Sequence, residues 1–454
     1  MDFEVASTQS VGGRIASNAG LLFGGRALGA LLGLVALLVA ANSLSQVEFG
    51  IVVFLHAYML FFAEMATFQP WQAVIRFGSD DAEVRDEARF ARLIKFCALL
   101  DAVSAVFAYV FAVALFGVFL ALLSLFPGAA PELGEADPSR LFTLVVAYSS
   151  VVLFQQTGMS IGVLRLFDRF RGLAAASLVM PALRVLGVLV AARQGWGLLG
   201  FVAVWYVASL ARYLFMIALG LWELARRRML GAIWRAPVSF VHPRNGLWAF
   251  ATKSYFDSSL AAGFSHLPIL LVMAVFGPAF LAVYKVAEEI ARLLSEGVKL
   301  LDQVIYPELA RIIAAGQGGQ ILRLVSRASL VALGVGVAMS AVVYLFGPSV
   351  IDLAVGQDYE RTVDLAVLLV IGAAIYAAVA PLYPVFYAVG RPERAVYARL
   401  AGLVAYVAAF FVMTSWLGEM GTAWAWLIGY SVALVVVVRL VLGTLEGFRG
   451  LPAE

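Results

Sequence analysis

The chain has 454 residues, of which 63% are hydrophobic and 13% are charged, with a mean hydropathy of +0.94 and a formal net charge of +3. Soluble domains are about 45–50% apolar and about 25% charged, so this composition excludes a water-soluble globular protein. A single cysteine, Cys97, excludes a disulfide framework, and the three histidines are scattered and lack the spacing of metal ligands. The basic residues do not form a patch of the kind that binds nucleic acids. The sequence therefore predicts a polytopic membrane protein.

The apolar residues form twelve stretches, each long enough to cross a bilayer as a helix. A hydrocarbon core of about 30 Å requires about 20 helical residues. The stretches are continuous rather than alternating, which favours helices over a β-barrel. The predicted spans are 14–41, 47–70, 91–126, 141–164, 173–193, 197–222, 246–276, 279–309, 322–346, 364–388, 395–417 and 420–444.

The distribution of lysine and arginine predicts the orientation of these spans. If the N-terminus is cytoplasmic, twenty-one of these residues fall in cytoplasmic loops and helix ends, against three on the other side, Arg140, Arg193 and Arg361. Positive residues are enriched in cytoplasmic loops. Both termini are therefore predicted to be cytoplasmic, and the opposite loops are too short to form domains.

The longest internal break divides the twelve spans into two sets of six. We predict an N-terminal six-helix bundle (1–230), a cytoplasmic linker (231–245) and a C-terminal six-helix bundle (246–454). Because six is even, both halves enter the membrane from the same face, so a pseudo-symmetry axis would run along the membrane normal.

Seven basic residues lie within the predicted spans and are not explained by loops. A charge at the centre of a bilayer costs at least about 2.5–3.5 kcal/mol and normally faces a water-filled cavity or a partner. Guanidinium and ammonium groups bind phosphate oxygens. We therefore predict a cationic, substrate-binding cavity lined by Arg26, Arg184, Arg212, Lys253, Lys285, Arg292 and Lys299.

Local alternatives remain open for several of these cations. Lys253 and Asp257 are four residues apart and have the spacing of a salt bridge. Arg184 and Arg212 have the alternative of extending to the membrane interface. In the eighth span, charges recur at steps of three and four, which places them on one helical face, either lining a cavity or neutralising one another. These are Lys285, Glu288, Glu289, Arg292, Glu296, Lys299 and Asp302.

Three segments resemble a known family. They are NAGLLFGGRALGALLGLVALLVAANSLSQVEFGIVVF, QPWQAVIRFGS and, in the second half, GPAFLAVYKVAEEIARLLSEGVKLLDQVIYPELARI. They resemble the polysaccharide-biosynthesis flippases (O-antigen and exopolysaccharide translocases), whose superfamily includes the multidrug and toxic-compound extruders and the lipid II flippase.

The resemblance implies a fold, a cargo and a location. The fold is a V-shaped, MATE-like pair of six-helix bundles in the inner membrane, opening alternately to either face. The cargo is a polyprenyl-diphosphate-linked oligosaccharide for lipopolysaccharide or exopolysaccharide biosynthesis, and the partners are membrane lipids, a polysaccharide polymerase and export machinery. No cofactor is implied, and a proton or sodium gradient would drive transport. From their positions in the spans, Glu64, Asp257 and Glu296 are the candidates for ion coupling.

The sequence also allows alternative functions to be compared with a flippase. A cation-coupled exporter of drugs or small metabolites belongs to the same superfamily and is the main alternative. A glycan polymerase or glycosyltransferase would need a larger external loop or a carboxylate-rich catalytic segment, and the charged stripe argues against a structural scaffold. The sequence contains no nucleotide-binding loop and no nucleophile elbow, so we predict a transporter and not an enzyme.

Overall fold

The computed structural model is almost entirely α-helical and describes residues 11–68, 70–83, 86–124, 138–239, 247–314, 318–355, 362–388 and 391–449. This part of the chain forms fifteen α-helices, with short 3-10 segments at Ser150–Phe154, Ala380–Leu382 and Gly418–Met420. The helices are α1 (Val11–Ser43), α2 (Gln46–Ala66), α3 (Pro70–Glu83), α4 (Glu87–Ser124), α5 (Pro138–Ser149), α6 (Gly158–Leu166), α7 (Phe170–Gln194), α8 (Gly197–Arg226), α9 (Leu230–Arg235), α10 (Leu247–Ala314), α11 (Gly318–Val355), α12 (Thr362–Val379), α13 (Tyr383–Ala388), α14 (Pro392–Leu417) and α15 (Gly421–Arg449).

Ten segments of the described chain are long and apolar enough to cross a membrane. One of them, Glu393–Gly443, contains two helices, α14 and α15, on either side of Gly418–Met420. Another, Ser265–Arg292, crosses an interruption of α10 at Gly277. Each of the twelve predicted spans lies largely on helical backbone. The predicted all-α polytopic fold class is therefore confirmed.

The chain divides into two compact units, Met1–Pro278 and Ala279–Glu454. In the first unit, α1 packs on α7, α7 on α8, and both α2 and α3 on α4. In the second unit, α11 packs on α12 and α14 on α15, which also contacts α12. Residues 240–246 of the predicted linker lie outside the described chain, and the predicted bundle boundaries stay a prediction.

The interruption of α10 falls where the predicted seventh and eighth spans meet. Gly277 has φ 82° and ψ −177°, a backbone conformation that is essentially restricted to glycine. The next residue, Pro278, has no backbone N–H to donate, so it also breaks the hydrogen-bond ladder of the helix. The pair Gly277–Pro278 therefore separates two spans that are continuous in hydropathy.

Helix α3 occupies residues that the twelve predicted spans leave in a loop. Val74 and Phe77 on this helix are buried, whereas Arg76 and Ser79 are exposed. It packs on α4 and α6 and has only 14 residues, too few to cross a bilayer. The segment is thus an amphipathic helix within the first unit.

The predicted span 141–164 is also not one continuous helix. Helix α5 ends at Ser149, a 3-10 turn follows, and α6 begins at Gly158. The first N–H groups of a helix have no partners within it. Here the buried carboxylate of Asp101, on α4, accepts a hydrogen bond from the backbone N–H of Met159 at 2.7 Å. Asp101 therefore caps the N-terminus of α6 from a neighbouring helix.

Replacing Asp101 by alanine should destabilise the protein. The change removes a charged acceptor from a buried N–H, and hydrogen bonds to charged groups contribute about 1.5–3 kcal/mol. We expect the thermal unfolding temperature in detergent to fall by several degrees, and less for Asp101→Asn, which keeps an oxygen acceptor. Ser104→Ala is the matched control, because the Ser104 hydroxyl on the same helix is buried without a hydrogen-bond partner in the described structure. Equal unfolding temperatures for Asp101→Ala and wild type would contradict the capping role.

Candidate functional site

A polar cluster joins four helices of the first unit. We call it the His56 cluster, and its members are His56 (α2), Tyr148 (α5), Arg184 (α7) and Ser209 (α8). The Nη2 atom of Arg184 lies 2.8 Å from His56 Nε2, 3.4 Å from His56 Nδ1 and 3.4 Å from the Ser209 hydroxyl. His56 Nδ1 lies 2.9 Å from the Tyr148 hydroxyl. Arg184 is thus held from two sides by neutral polar groups.

Aromatic rings surround this cluster. The guanidinium carbon of Arg184 lies 5.2 Å from the centre of the Trp205 ring, within the range of a cation–π contact. Tyr148 packs edge-on against His56 and against Tyr206. Tyr148 and Ser209 are buried, whereas His56 and Arg184 are partly accessible. His56 and Arg184 therefore keep part of their surface accessible, whereas Tyr148 and Ser209 are enclosed by the surrounding helices.

A second group of positive charges in this unit involves Arg26 and Arg165. Arg165, at the end of α6, stacks on Trp71 of α3 with 4.1 Å between the guanidinium carbon and the ring centre. Arg26, on α1, is exposed and lies close enough to Arg165 to interact with it electrostatically. Within the described chain, neither arginine has a carboxylate within 4.0 Å. Their positive charges are therefore not neutralised by the described residues.

The third predicted cation of this unit, Arg212, lies beside Tyr213 on α8. Its guanidinium carbon is 6.0 Å from the Tyr213 ring centre. The Tyr213 hydroxyl donates to the Gln155 side chain at 3.1 Å, and it interacts electrostatically with Arg184 and Glu64 as well. Tyr213 therefore connects Arg212 to the His56 cluster.

The predicted coupling residue Glu64 has a histidine partner. Its carboxylate lies 3.3 Å from Nε2 of His266 on α10, and its side chain is 44% exposed. The hydroxyl of Ser259, also on α10, donates to the backbone carbonyl of Met65 at 3.1 Å. The N-terminal part of α10 thus contacts the C-terminal end of α2 through polar groups.

In the second unit, the described charges of the eighth predicted span neutralise one another. Lys285 Nζ lies 2.6 Å from Glu288 and 3.3 Å from Glu289, and Arg292 donates to Glu289. These are pairs at steps of three and four along one helix, the local alternative that the spacing left open. Lys285 and Arg292 stay predicted substrate contacts, but a ligand would have to compete with their carboxylates.

Three polar side chains near Glu288 are buried without hydrogen-bond partners in the described structure. They are the hydroxyls of Tyr284 and Tyr406 and the indole N–H of Trp426. Tyr406 packs edge-on against Trp426, and both tyrosines interact electrostatically with Glu288. This part of the second unit is polar as well as aromatic.

The remaining predicted site residues lie outside the described side chains. They are Lys253 and Lys299 among the cations, and Asp257 and Glu296 among the coupling candidates. Within the described residues, no three histidine, cysteine, aspartate or glutamate side chains come close enough together to hold a metal ion.

Arg227, one of the basic residues on the predicted cytoplasmic side, has a buried carboxylate as its partner. Arg227 Nε donates to the buried carboxylate of Glu223 at 2.8 Å, and Arg169 Nε donates to the same carboxylate at 2.9 Å. Removing one partner of a buried charge is strongly destabilising. Arg227 is therefore unsuitable as a neutral control for transport experiments.

The site contains residues that the sequence analysis did not select. The three histidines share no metal-ligand spacing, so His56 was not a candidate, and Arg165 follows the predicted span 141–164 as one of the basic residues on the predicted cytoplasmic side. His56 and Arg184 are 128 residues apart, and Trp71 and Arg165 come from different helices. Neither pairing has a signal in the local sequence pattern.

The sequence matches no established protein-family profile. It is 27% identical over 363 residues to inner membrane protein YghQ of Escherichia coli (strain K12), covering 77% of this chain and 95% of that protein.

Solved structures are similar to this chain over nearly its whole length. A multidrug resistance MATE family transporter of the MOP superfamily, in its inward-facing conformation, gives a TM-score of 0.74 at 14% identity, covering 93% of this chain and 96% of that one. The lipid II flippase MurJ gives 0.66 at 12% identity, covering 93% of this chain and 88% of that one. The names of these two structures are those of a transporter and of a flippase. The chain therefore has the all-helical membrane fold shared by MATE transporters and the lipid II flippase.

Proposed function

We propose that the protein is a flippase of the inner membrane. It translocates a polyprenyl-diphosphate-linked oligosaccharide repeat unit by alternating access, for the biosynthesis of a surface polysaccharide or exopolysaccharide. The observation that carries this proposal is the excess of positive charge in the first unit, where Arg26 and Arg165 interact with each other and have no described carboxylate partner. Two guanidinium groups that interact electrostatically suit an anion such as a diphosphate, because each offers several N–H donors in a planar fork.

The surroundings of the two arginines support this substrate class. The guanidinium group of Arg165 contacts Trp71 through a cation–π interaction, which does not consume its N–H donors. Arg184 and Arg212 add positive charge in the same unit and lie beside Trp205 and Tyr213. Aromatic faces also pack well against sugar rings. The name of MurJ as a lipid II flippase and that of YghQ as an inner membrane protein agree with a lipid-linked substrate and with this location.

Export of drugs or small metabolites is the second candidate, because the similar solved structures include multidrug transporters. A cavity for cationic drugs would need carboxylates that are not already paired with positive groups. Among the described carboxylates of the first unit, Glu64 pairs with His266 and Glu223 binds two arginines. The net positive character of the unit therefore favours an anionic cargo.

Transport in reconstituted vesicles tests the proposal directly. The probe is a polyprenyl-diphosphate-linked oligosaccharide whose sugar carries a fluorophore, and an impermeant reductant reports which leaflet holds it. We expect the protein to speed exchange between leaflets, and deletion of the gene to cause lipid-linked repeat units to accumulate at the cytoplasmic face. The exporter would be supported instead if vesicles with and without the protein exchanged the probe at the same rate. Deletion of the gene would then leave the surface polysaccharide normal and increase drug sensitivity.

The orientation required by this direction of transport can be measured separately. Cys97 is the only cysteine and is buried, so replacing it leaves a background without thiols. Trp234→Cys, at a side chain 86% exposed in the predicted cytoplasmic loop, should react with an impermeant maleimide only after the cells are permeabilised. Ser139→Cys, near the start of α5, should react in intact cells. The reverse labelling pattern would invert the predicted topology.

A further inference from the structure

The contact between His56 and Arg184 determines the protonation state of the histidine. A guanidinium group carries only N–H donors, so the 2.8 Å contact from Arg184 requires an unprotonated Nε2 on His56. The proton of the neutral imidazole then lies on Nδ1, which donates to the Tyr148 hydroxyl at 2.9 Å. The His56 cluster therefore selects neutral His56.

Protonation of His56 is incompatible with this arrangement. An imidazolium has an N–H donor on both nitrogens, so Nε2 no longer accepts from Arg184. Two positive groups about 3 Å apart also repel each other. Binding of a proton therefore requires Arg184 to move away from the ring.

Two carboxylates, on α2 and α4, have partners of their own. Asp101 accepts from the Met159 N–H, and Glu64 pairs with His266 and lies eight residues from His56, about 12 Å along α2. The titratable or charged groups on the helices around His56 include Arg26 (α1), Tyr58 and Glu64 (α2), Asp101 and Tyr109 (α4), Tyr148 (α5), Arg184 (α7), and Tyr206, Arg212 and Tyr213 (α8). An anion entering between His56 and Arg184 would neutralise both positive groups.

We propose that His56 and Arg184 form a proton-linked anion site for a phosphate ester or diphosphate. In the absence of anion, neutral His56 holds Arg184. When a proton and an anion bind together, the imidazolium and the guanidinium both donate to the anion. The identity of the natural anion as a lipid-linked diphosphate rests on the proposed function, whereas the linkage itself does not.

Linkage fixes the direction of the effect. If the proton strengthens anion binding, the anion strengthens proton binding by the same factor. Affinity for the anion is therefore highest at low pH and declines as the pH rises and His56 loses its proton. Coupling between two such sites is typically 5–150-fold in affinity, and we expect about tenfold or more here.

The test uses purified full-length protein in lipid nanodiscs with inorganic pyrophosphate as the probe. Calorimetry at pH 5.5 and pH 8 gives the ratio of the two affinities for wild type and for His56→Gln, whose amide oxygen still accepts from Arg184 but does not titrate. Pyrophosphate changes its own charge over this range equally for both proteins. We expect the ratio to be about tenfold or more larger for wild type than for His56→Gln. The control, His242→Gln in the predicted linker 231–245, should keep the wild-type ratio.

A second measurement needs no variant at position 56. The chain has only three histidines, so spectra of labelled His266→Gln and His242→Gln assign the remaining ring signal to His56. We expect pyrophosphate to move the titration of that signal to higher pH in wild type but not in Arg184→Gln. An unmoved titration in wild type, or equal affinity ratios for wild type and His56→Gln, would overturn the linkage. Translocation of the lipid-linked oligosaccharide without this linkage would overturn the inference alone, whereas linkage without translocation would overturn only the proposed function.

Discussion

Arg26→Ala should lower transport of the lipid-linked substrate by about tenfold or more while the protein still inserts and folds. Arg26 makes no described ion pair, so its removal leaves no carboxylate without a partner. Its exposure means that little packing is lost. A hydrogen bond to a charged group contributes about 1.5–3 kcal/mol, which corresponds to a factor of roughly 10–150 in affinity. The loss should therefore affect substrate binding and not stability.

The neighbouring arginine gives a second way to measure the same site. Arg165→Ala should reduce transport to a similar extent, because Arg165 and Arg26 would donate to the same diphosphate. If they share one ligand, the two losses should not add in the double variant, since contacting groups deviate from additivity by about 0.5–3 kcal/mol. Independent, fully additive effects would indicate that the two arginines act at different places.

The measurement is the initial rate of leaflet exchange in vesicles that contain equal amounts of folded protein. Arg26→Lys should lie between wild type and alanine, because an ammonium keeps the charge but loses the planar fork. Arg193→Ala is the matched control, because Arg193 is exposed at the end of α7 and is predicted to face the opposite side. Wild-type exchange by Arg26→Ala would remove this residue from the substrate site.

The membrane architecture could be predicted from the sequence because long apolar segments have few options in lipid. Backbone groups must be satisfied within each segment, and positive residues bias the loops. The break at Gly277–Pro278 was visible as a Gly-Pro pair between the predicted spans 246–276 and 279–309. The break before α6 was not visible, because it depends on Asp101 of another helix. Hydropathy averages over such tertiary contacts.

The candidate site was less accessible to sequence analysis. A charged residue within a single span can be recognised from the sequence. Its partner lies three residues away for Lys285, in Glu288, but 128 residues away for Arg184, in His56. Periodicity identified the pairs of the eighth span as one alternative. The periodicity of charges does not predict that His56 lies beside Arg184, since that contact depends on how α2 and α7 pack within the first unit. The sequence therefore shows which spans contain charged residues, whereas the structure is needed to identify the partner of each charge.

The other large effect is expected from Gly50→Ala, which should disfavour the conformation seen here. Gly50 lies on α2, and a Cβ atom placed on it would be 1.9 Å from the backbone carbonyl oxygen of Pro278 and 2.6 Å from its carbonyl carbon. Backbone atoms cannot rotate away as a flexible side chain can, so α2 and the Gly277–Pro278 break would have to separate. Inserting one methyl group into a packed site costs about 1–3 kcal/mol and sometimes more.

The direction of the change in unfolding temperature distinguishes Gly50→Ala from an ordinary glycine-to-alanine substitution. In the interior of a helix, glycine to alanine is otherwise stabilising by about 1 kcal/mol. Gly33→Ala on α1, where a Cβ would meet nothing within 4 Å, should therefore leave the unfolding temperature unchanged or raise it. Gly50→Ala should lower it by several degrees and reduce transport, and Gly50→Val should do so further. An unfolding temperature for Gly50→Ala equal to that of Gly33→Ala would contradict the close approach of Pro278 to α2, because the added methyl group would then have met no resistance.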